Sequence, residues 1–355
     1  MASDQDLVVE TVRDILTGYP PFAQTPDRPW DDGLWRALAE AGLTGVGLPE
    51  EAGGSGGELA DAVAIVRTLA AGAAAVPVAE QLLVGGPAVV AADLRLPPTE
   101  EPLTFALGPA VTAHASDDGD GPGRFTLTGT VTDVAWSGAA THLAVLAAGA
   151  AGPVLALADV SGIDVTTAVN LAGEPRGSLV LEDVAATGAL LTSAQVEALK
   201  ARFALARAVQ LAAALEQVLA WTVQYAGERV QFGRPLGKFQ AIQMELAEMA
   251  GEVTAVTALT DAAVQALERG SDDVVLAAAA AKVRAGAAVE VVARLAHQVH
   301  GAIGFTQEHK LHHLTRRLWS WRDEAGSELY WSRVLAQGLL AGGADGLWPA
   351  LTRVV

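Results

Sequence analysis

Two short stretches concentrate the residue types that could do chemistry. The first, QVHGAIGFTQEHKLHHLTRR from Gln298, gathers His300, His309, His312 and His313 beside the glycines Gly301 and Gly304. Two of these imidazoles could stand one helical turn apart, but a zinc site needs a third ligand and an ordered outer shell. Glu308 is near, and the cationic LTRR that follows would repel a metal. The expectation is no metal site, with the histidines at a surface or an interface. The glycines say more. After a helix ending near Gln298, HGAIG permits a sharp turn and the close approach of another backbone or a ligand. A helix C-cap accounts for Gly301 alone. It does not account for paired glycines followed by an Arg-rich helix.

The second stretch is YAGERVQFGRPLGKFQAIQ. It reads as a helix, then Arg229, Phe232-Gly233 and Pro235, then Gln240 on a new helix. One reading is a structural turn capped by arginine. The other is a corner that offers a guanidinium, an aromatic face and an amide to an anionic, aromatic ligand. A third glycine-rich run, GLPEEAGGSGGE from Gly47, lacks the Lys-Ser or Lys-Thr that a nucleotide P-loop requires, and reads as a plain loop.

The elements that must position these stretches follow from composition and period. The 355 residues allow two or three packed lobes, and 51% of them are hydrophobic. The abundant alanine favours close helix packing. A formal charge of −18 argues against sequence-independent nucleic-acid binding, which needs a basic footprint. There is no cysteine, hence no disulfide, thiolate nucleophile or Cys-ligated zinc. The acidic N-terminus does not read as a secretory signal, and no run of about twenty strongly apolar residues suggests a membrane span. The expected location is cytoplasmic.

Along the chain, the first region reads as short helices. WDDGLWRALAEAGL puts Leu34, Leu38 and Ala41 on one face and stops at Gly42. From about residue 100 to 190 the period changes to two. RFTLTGTVTDVAW, HLAVLAA, PVLALADV and GSLVLEDV are strands with no helix between them, which predicts an antiparallel lobe. Beyond 193 the helical period returns. Ile242, Leu246, Met249, Val253, Val256, Ala263 and Leu267 form one stripe, and Ser271 is expected to cap the next helix, with Asp272 and Asp273 in its first turn. The expectation is an α+β fold: an N-terminal helical domain over 1–98, a middle antiparallel β domain over 99–192 and a C-terminal four-helix bundle over 193–355.

Taken together, these residues resemble the acyl-CoA dehydrogenase family. The pattern R-x-x-F-G-x-P-(x)-Q is matched by Arg229, Phe232, Gly233, Pro235 and Gln240. The pattern Q-x-x-G-G-x-G is matched by Gln298, Gly301, Ala302 and Gly304, with alanine in place of the second glycine. LAEMAGEV and the stretch around Trp35 to Gly56 resemble further family segments. The resemblance runs from about residue 30 to 340. It implies a bound FAD and an acyl-CoA thioester substrate. It also implies that Arg229, Phe232, Gln240 and the Gln298–Gly304 turn approach the ADP portion of a neighbouring subunit's flavin. A guanidinium there would offset pyrophosphate charge that an acidic protein otherwise repels.

The resemblance also fails in informative places. The family's reaction removes an α-proton to a glutamate and a β-hydride to flavin, and losing a positioned base costs orders of magnitude in rate. In most of the family that glutamate precedes Gly-Thr. Here the position is Ala325, followed by Gly326 and Ser327. The alternative position used by a minority of the family falls near Phe203, which is not an acid either. Asp323, Glu324 and Glu328 lie close by and read best as a solvated acidic turn, with Glu324 and Glu328 the fallback bases. The family's flavin-facing T-E-P-x-A-G-S-D loop corresponds to LTFALGPAV, Leu103 to Val111. Its W-I-T strand corresponds to VAWSG, where Trp136 and Ser137 either meet flavin or are core. The half-site that would serve a neighbour's flavin is thus matched better than the half-site for the chain's own.

Two expectations follow from the resemblance. In the first, this is the short, glutamate-lacking subunit of a heterotetrameric bacterial enzyme acting on steroid side-chain CoA thioesters, and a longer homologous chain supplies the base. In the second, it is a self-sufficient homo-oligomer using Glu324, Glu328 or another acid. A flavin-free acyl-CoA-binding homologue is a weaker third.

Overall fold

The computed structural model describes residues 4–19, 30–116, 123–341, 343, 345, 346, 348 and 349. These fall into two compact units. One is Ala74–Phe203 together with the chain up to Leu69. The other is the chain from Ala204 onward together with Ala70–Ala73. The expected boundary at 193 is the start of a 36-residue helix, and the units part inside that helix.

In the first unit, α1 (Asp4–Thr17), α2 (Asp32–Glu40), α3 (Leu59–Ala71) and α4 (Gly86–Ala91) are short. The patterned helix α2 forms as its sequence dictates. Asp31 caps it by accepting the Leu34 N–H (2.9 Å), Leu34 and Leu38 are buried, and Gly42 reverses the chain at φ +72°. Before α4 the helix widens to a π-turn over Glu80–Gly85. There Gln81 donates to Thr44 O and Thr99 O (2.7 Å each) and accepts the Leu103 N–H (3.0 Å), fastening helices to the first strand.

The sheet contains β1 (Leu103–Ala115), β2 (Gly123–Ala135), β3 (His142–Gly149), β4 (Gly152–Asp159), β5 (Val165–Val169) and β6 (Pro175–Leu190). Their order is β2-β1-β3-β4-β6-β5, and β2 also pairs with β6, so the sheet closes on itself. Inside lies a core of Val111, Leu127, Val131, Leu143, Val145 and Val154 with their neighbours. The lobe is not purely antiparallel, as the sequence suggested, because β1 and β3 run parallel from Leu103↔His142 to Leu107↔Leu146. The turn after β2 returns the chain to Pro102, whose carbonyl accepts the N–H groups of Thr141 (3.0 Å) and His142 (3.2 Å). Strand β3 therefore starts where β1 starts.

The second unit holds α5 (Ser193–Glu228) from Ala204 onward, α6 (Gln240–Glu268), α7 (Val274–His300), α8 (Leu311–Asp323) and α9 (Glu328–Leu340). The expected fourth helix is in fact two, α8 and α9, because Ala325 (φ +57°) and Gly326 (φ +96°) break it. The α6 stripe packs as its period implies, with Met249, Val253, Val256 and Ala263 buried. Helix α7 begins later than its sequence suggests. Asp273 occupies the cap position, and the Ser271 hydroxyl accepts the Asp273 N–H (3.2 Å). Helix α5 is long and apolar enough to cross a membrane, but 72% of its most apolar window is buried within the protein, as in a core helix.

Candidate functional site

The corner after α5 is a two-residue hairpin. Strands β7 (Val230–Gln231) and β8 (Arg234–Pro235) pair across Phe232 and Gly233, both left-handed at φ +49° and +78°. Consecutive positive φ values are what such a tight hairpin needs. Glycine supplies one at no steric cost, and phenylalanine supplies the other at roughly 1–2 kcal/mol. That phenylalanine is 91% exposed. A strained, solvated aromatic ring is a contact surface in search of a ligand or neighbour. The Arg234 guanidinium lies 4.1 Å from the Phe239 ring centre, and Phe239 meets Phe232 edge-on at 6.2 Å. Gln240, the first residue of α6, is exposed, as is Arg229.

The turn after α7 is a 3-10 segment, Gly301–Phe305. Its two glycines are required for different reasons. Gly301 has φ +62° and ψ −145°, a region closed to L side chains. Gly304 is buried, and a methyl there would sit 3.0 Å from His300 Cβ and 3.2 Å from Leu311 Cδ2. Ala302, where the family pattern has glycine, is exposed and not left-handed, so its methyl is harmless. Gln298 and Ile303 are exposed, and Phe305 more so.

The fold brings these two motifs together through Tyr225 on α5. Its ring stacks on His300 at 4.4 Å, and its hydroxyl donates to His300 O (3.3 Å). The Arg229 N–H is bonded to Tyr225 O (2.8 Å), which fixes the arginine one turn from that stack. His309 packs edge-on against both rings, His297 stacks on Phe305 at 4.4 Å, and Lys310 lies 4.5 Å over Trp221. Burial, with mutual repulsion among the imidazoles, pushes the pKa of His297, His300 and His309 down. The His313 imidazole falls to about 4. These rings are neutral near pH 7. Among the described residues, no group of three or more His, Cys, Asp or Glu is arranged to hold a metal.

The fallback acids lie elsewhere, at the α8–α9 turn. Lys282, in the middle of α7, is 0% exposed and donates from Nζ to Arg322 O (2.5 Å) and Gly326 O (3.0 Å). It sits 18 residues before His300, about 27 Å along the helix. Burial, and then the Arg207 charge, lower the Lys282 pKa to about 8. Trp331 Nε1 donates to Ala325 O (2.7 Å). Glu324 pairs with Arg207 (2.8 Å), a guanidinium whose side chain is only 2% exposed, and Glu328 pairs with Arg322 (2.5 Å). This is not the solvated acidic turn that the sequence suggested. Only Asp323 is exposed in that sense. Sequence reasoning missed Tyr225, Arg207 and Lys282 as organisers. The available signal was that Ala278, Lys282, Ala285 and Val289 share one helical face, so the lysine had to be buried.

In the first unit, Leu103–Val111 is strand and not loop. It is continuous with β1, and its register against β3 shifts between Leu107 and Thr112. Trp136 turns left-handed (φ +59°) and is 4% exposed, packed with Ala75, Ala135, Trp30 and Ala139. It is core. The Ser137 hydroxyl is buried with no hydrogen-bond partner among the described residues. Phe203 meets Phe105 edge-on at 5.3 Å. For a flavin dinucleotide, the α5–α6 corner and the α7 turn fit. They offer an exposed guanidinium, an aromatic ring and two amides, and there is open space beside Gly233 and Gly301. The β lobe fits poorly, since no flavin-facing loop interrupts β1 and Trp136 is already covered by the chain's own residues.

Comparison with known proteins identifies the family. Residues 2–91 match the acyl-CoA dehydrogenase N-terminal domain and residues 195–340 the acyl-CoA dehydrogenase C-terminal domain. Acyl-CoA dehydrogenase IpdE2 of Mycobacterium tuberculosis is 32% identical over 293 residues, which is 82% of this chain and 81% of that protein. The Tcur3481-Tcur3483 steroid ACAD G363A variant superposes with a TM-score of 0.85 at 29% identity, covering 96% of this chain and 99% of the matched one. The ChsE4-ChsE5 complex of Mycobacterium tuberculosis superposes at 0.83 and 24% identity, over 96% and 98% of the two chains, and so speaks for the fold. The chain belongs to the acyl-CoA dehydrogenase family of oxidoreductases.

Proposed function

We propose that this chain is the partner subunit of a heteromeric, FAD-dependent acyl-CoA dehydrogenase. It lends its α5–α6 corner and α7 turn to a flavin seated mainly on a longer homologous chain, which also supplies the base. The observation that carries this reading is the α8–α9 turn. The two glutamates beside Ala325, which by resemblance stands at the family's base position, are tied into ion pairs with Arg207 and Arg322. A carboxylate neutralising a buried guanidinium is a poor proton acceptor, because losing its charge strands the arginine. The self-sufficient alternative needs one of those two carboxylates, or another acid, as its base.

When bound, FAD supplies the hydride acceptor for α,β-dehydrogenation of an acyl-CoA thioester. This chain's residues bind and orient it. Arg229 faces the pyrophosphate charge, Phe232 offers a ring, and Gln240 and Gln298 offer amides that can donate or accept. Likeness to a steroid ACAD supports a steroid side-chain CoA as the substrate class. The test is expression of this chain alone and with a longer homologue that carries the glutamate. The lone chain should purify with little absorbance at flavin wavelengths and no dye reduction with an acyl-CoA, and the pair should show both. A yellow, active lone chain refutes the proposal.

A further inference from the structure

The glycine turn after α7 rests on a cluster of imidazoles that the reading above does not use. His300 is 4% exposed and lies between Tyr225 at 4.4 Å and His309 at 4.9 Å. Its Nδ1 contacts Ala296 O at 2.7 Å, and a carbonyl only accepts, so Nδ1 carries the proton and Nε2 is a bare lone pair. That Nε2 is buried without a partner among the described residues, as is Nδ1 of His297. His297 Nδ1 also lies 3.3 Å from where a methyl on Gly304 would stand, so it is packed directly against the turn. A second proton on either ring would create an imidazolium N–H with no acceptor, in the interior, beneath Gly301–Phe305.

The charges that face the cluster make protonation worse. Helix α5 brings Tyr225 and, at its exposed end, Glu228, which is engaged by Gln224 Nε2 (2.8 Å). Helix α7 brings His297 and His300, with Arg294 beyond them directed to Glu248 on α6 (4.0 Å). The link into α8 brings Glu308, His309 and Lys310, and α8 brings His312, His313, Arg316 and Arg317. No carboxylate contributes to the perturbation of any of these imidazoles, whereas Lys310, Arg316, Arg317 and the other histidines do.

We propose that this histidine cluster is a proton-operated latch on the Gln298–Phe305 turn. Neutral, it packs the turn into its ligand-facing form. Protonated, it expels the turn and so loosens whatever dinucleotide or partner chain the turn holds. That last clause rests on the function proposed above. The sign follows from linkage. A histidine whose folded pKa is depressed gives stability that is complete above the unfolded value of about 6.5 and is lost as pH falls toward the folded value. For His313 that loss runs down to about 4.

The test is hydrogen exchange of the whole chain at pH 7.5 and 5.5, corrected for intrinsic rates. Peptides covering 298–311 report the turn, and peptides of β4 (Gly152–Asp159) serve as an internal control. Each proton gained only on opening multiplies the opening constant about tenfold per pH unit below 6.5. The turn should therefore exchange at least about tenfold faster at pH 5.5 while β4 stays unchanged. A turn that exchanges equally at both pH values, or that accelerates only in step with β4, overturns the latch. His300→Gln and His297→Gln remove the two rings whose buried nitrogens lack an acceptor, and combined they should flatten the pH dependence of the turn. A steep dependence retained by the double variant also overturns the latch. Flavin retention by the assembled complex at pH 7.5 is scored separately. A latch that opens on a chain with no influence on flavin refutes the functional reading and leaves the latch standing.

Discussion

The two turns that bracket α8 are built from the same material and used in opposite ways. Each ends a helix with a left-handed residue, Gly301 before α8 and Ala325 after it. The first presents outward: Gln298, Ala302 and Phe305 are exposed, and Arg229 stands nearby on the α5–α6 corner. The second turns inward: Lys282 holds two of its carbonyls, Trp331 holds a third, and Glu324 and Glu328 are paired. On the function proposed above, the first turn would bind and the second, where the base would stand, is filled by its own ion pairs.

The comparison can be broken experimentally, beginning with the largest effect. Glu324→Gln takes the Glu324 charge from the buried Arg207, whose Nη1 still donates to Gln210 Oε1 (2.6 Å), and should cost about 3–5 kcal/mol in chemical denaturation. Arg207→Met combined with Glu324→Leu should recover most of that loss. If Glu324 instead serves as a base, Glu324→Gln will abolish turnover in a complex that remains folded. Lys282→Met strips donors from Arg322 O and Gly326 O, and roughly 2–3 kcal/mol should be lost. Equal stability of that variant and the wild type would show the inward turn to be held by packing alone. Gly301→Ala forces a side chain into the glycine-only region at φ +62°, ψ −145° and should cost about 1–3 kcal/mol by thermal melt. Arg229→Ala should change stability by less than about 0.5 kcal/mol, since the side chain is exposed. The same variant should lower flavin retention in the assembled complex by about tenfold or more, a loss read by absorbance after gel filtration. If it retains flavin fully, the outward turn is not a cofactor clamp.

Much of this was legible in the sequence because it depends on local rules. The period of α6, the Asp31 cap, the hairpin glycine and the switch to strands near residue 100 are each set within a few residues. Gly301 and Gly304 were legible because backbone conformation and close packing require glycine there. What the sequence did not disclose depends on distant partners. The parallel pairing of β1 with β3 is set by a turn that returns to Pro102, some forty residues away in sequence. The ion pair of Glu324 joins residues from α5 and the α8–α9 turn, so the acid looked solvated when read alone. Trp136 could not be assigned between core and ligand until Ala75 and Trp30 were seen packed against it.

The closure of the sheet through β2 and β6 bears on how the lobe resists edge-to-edge association. Loose strand margins invite templated clumping with other chains. Here the ring hides those margins, and among the described residues of this sheet β5 alone remains on the outside, five residues long with two threonines. The lobe is thereby guarded against templated pairing whatever it meets in solution.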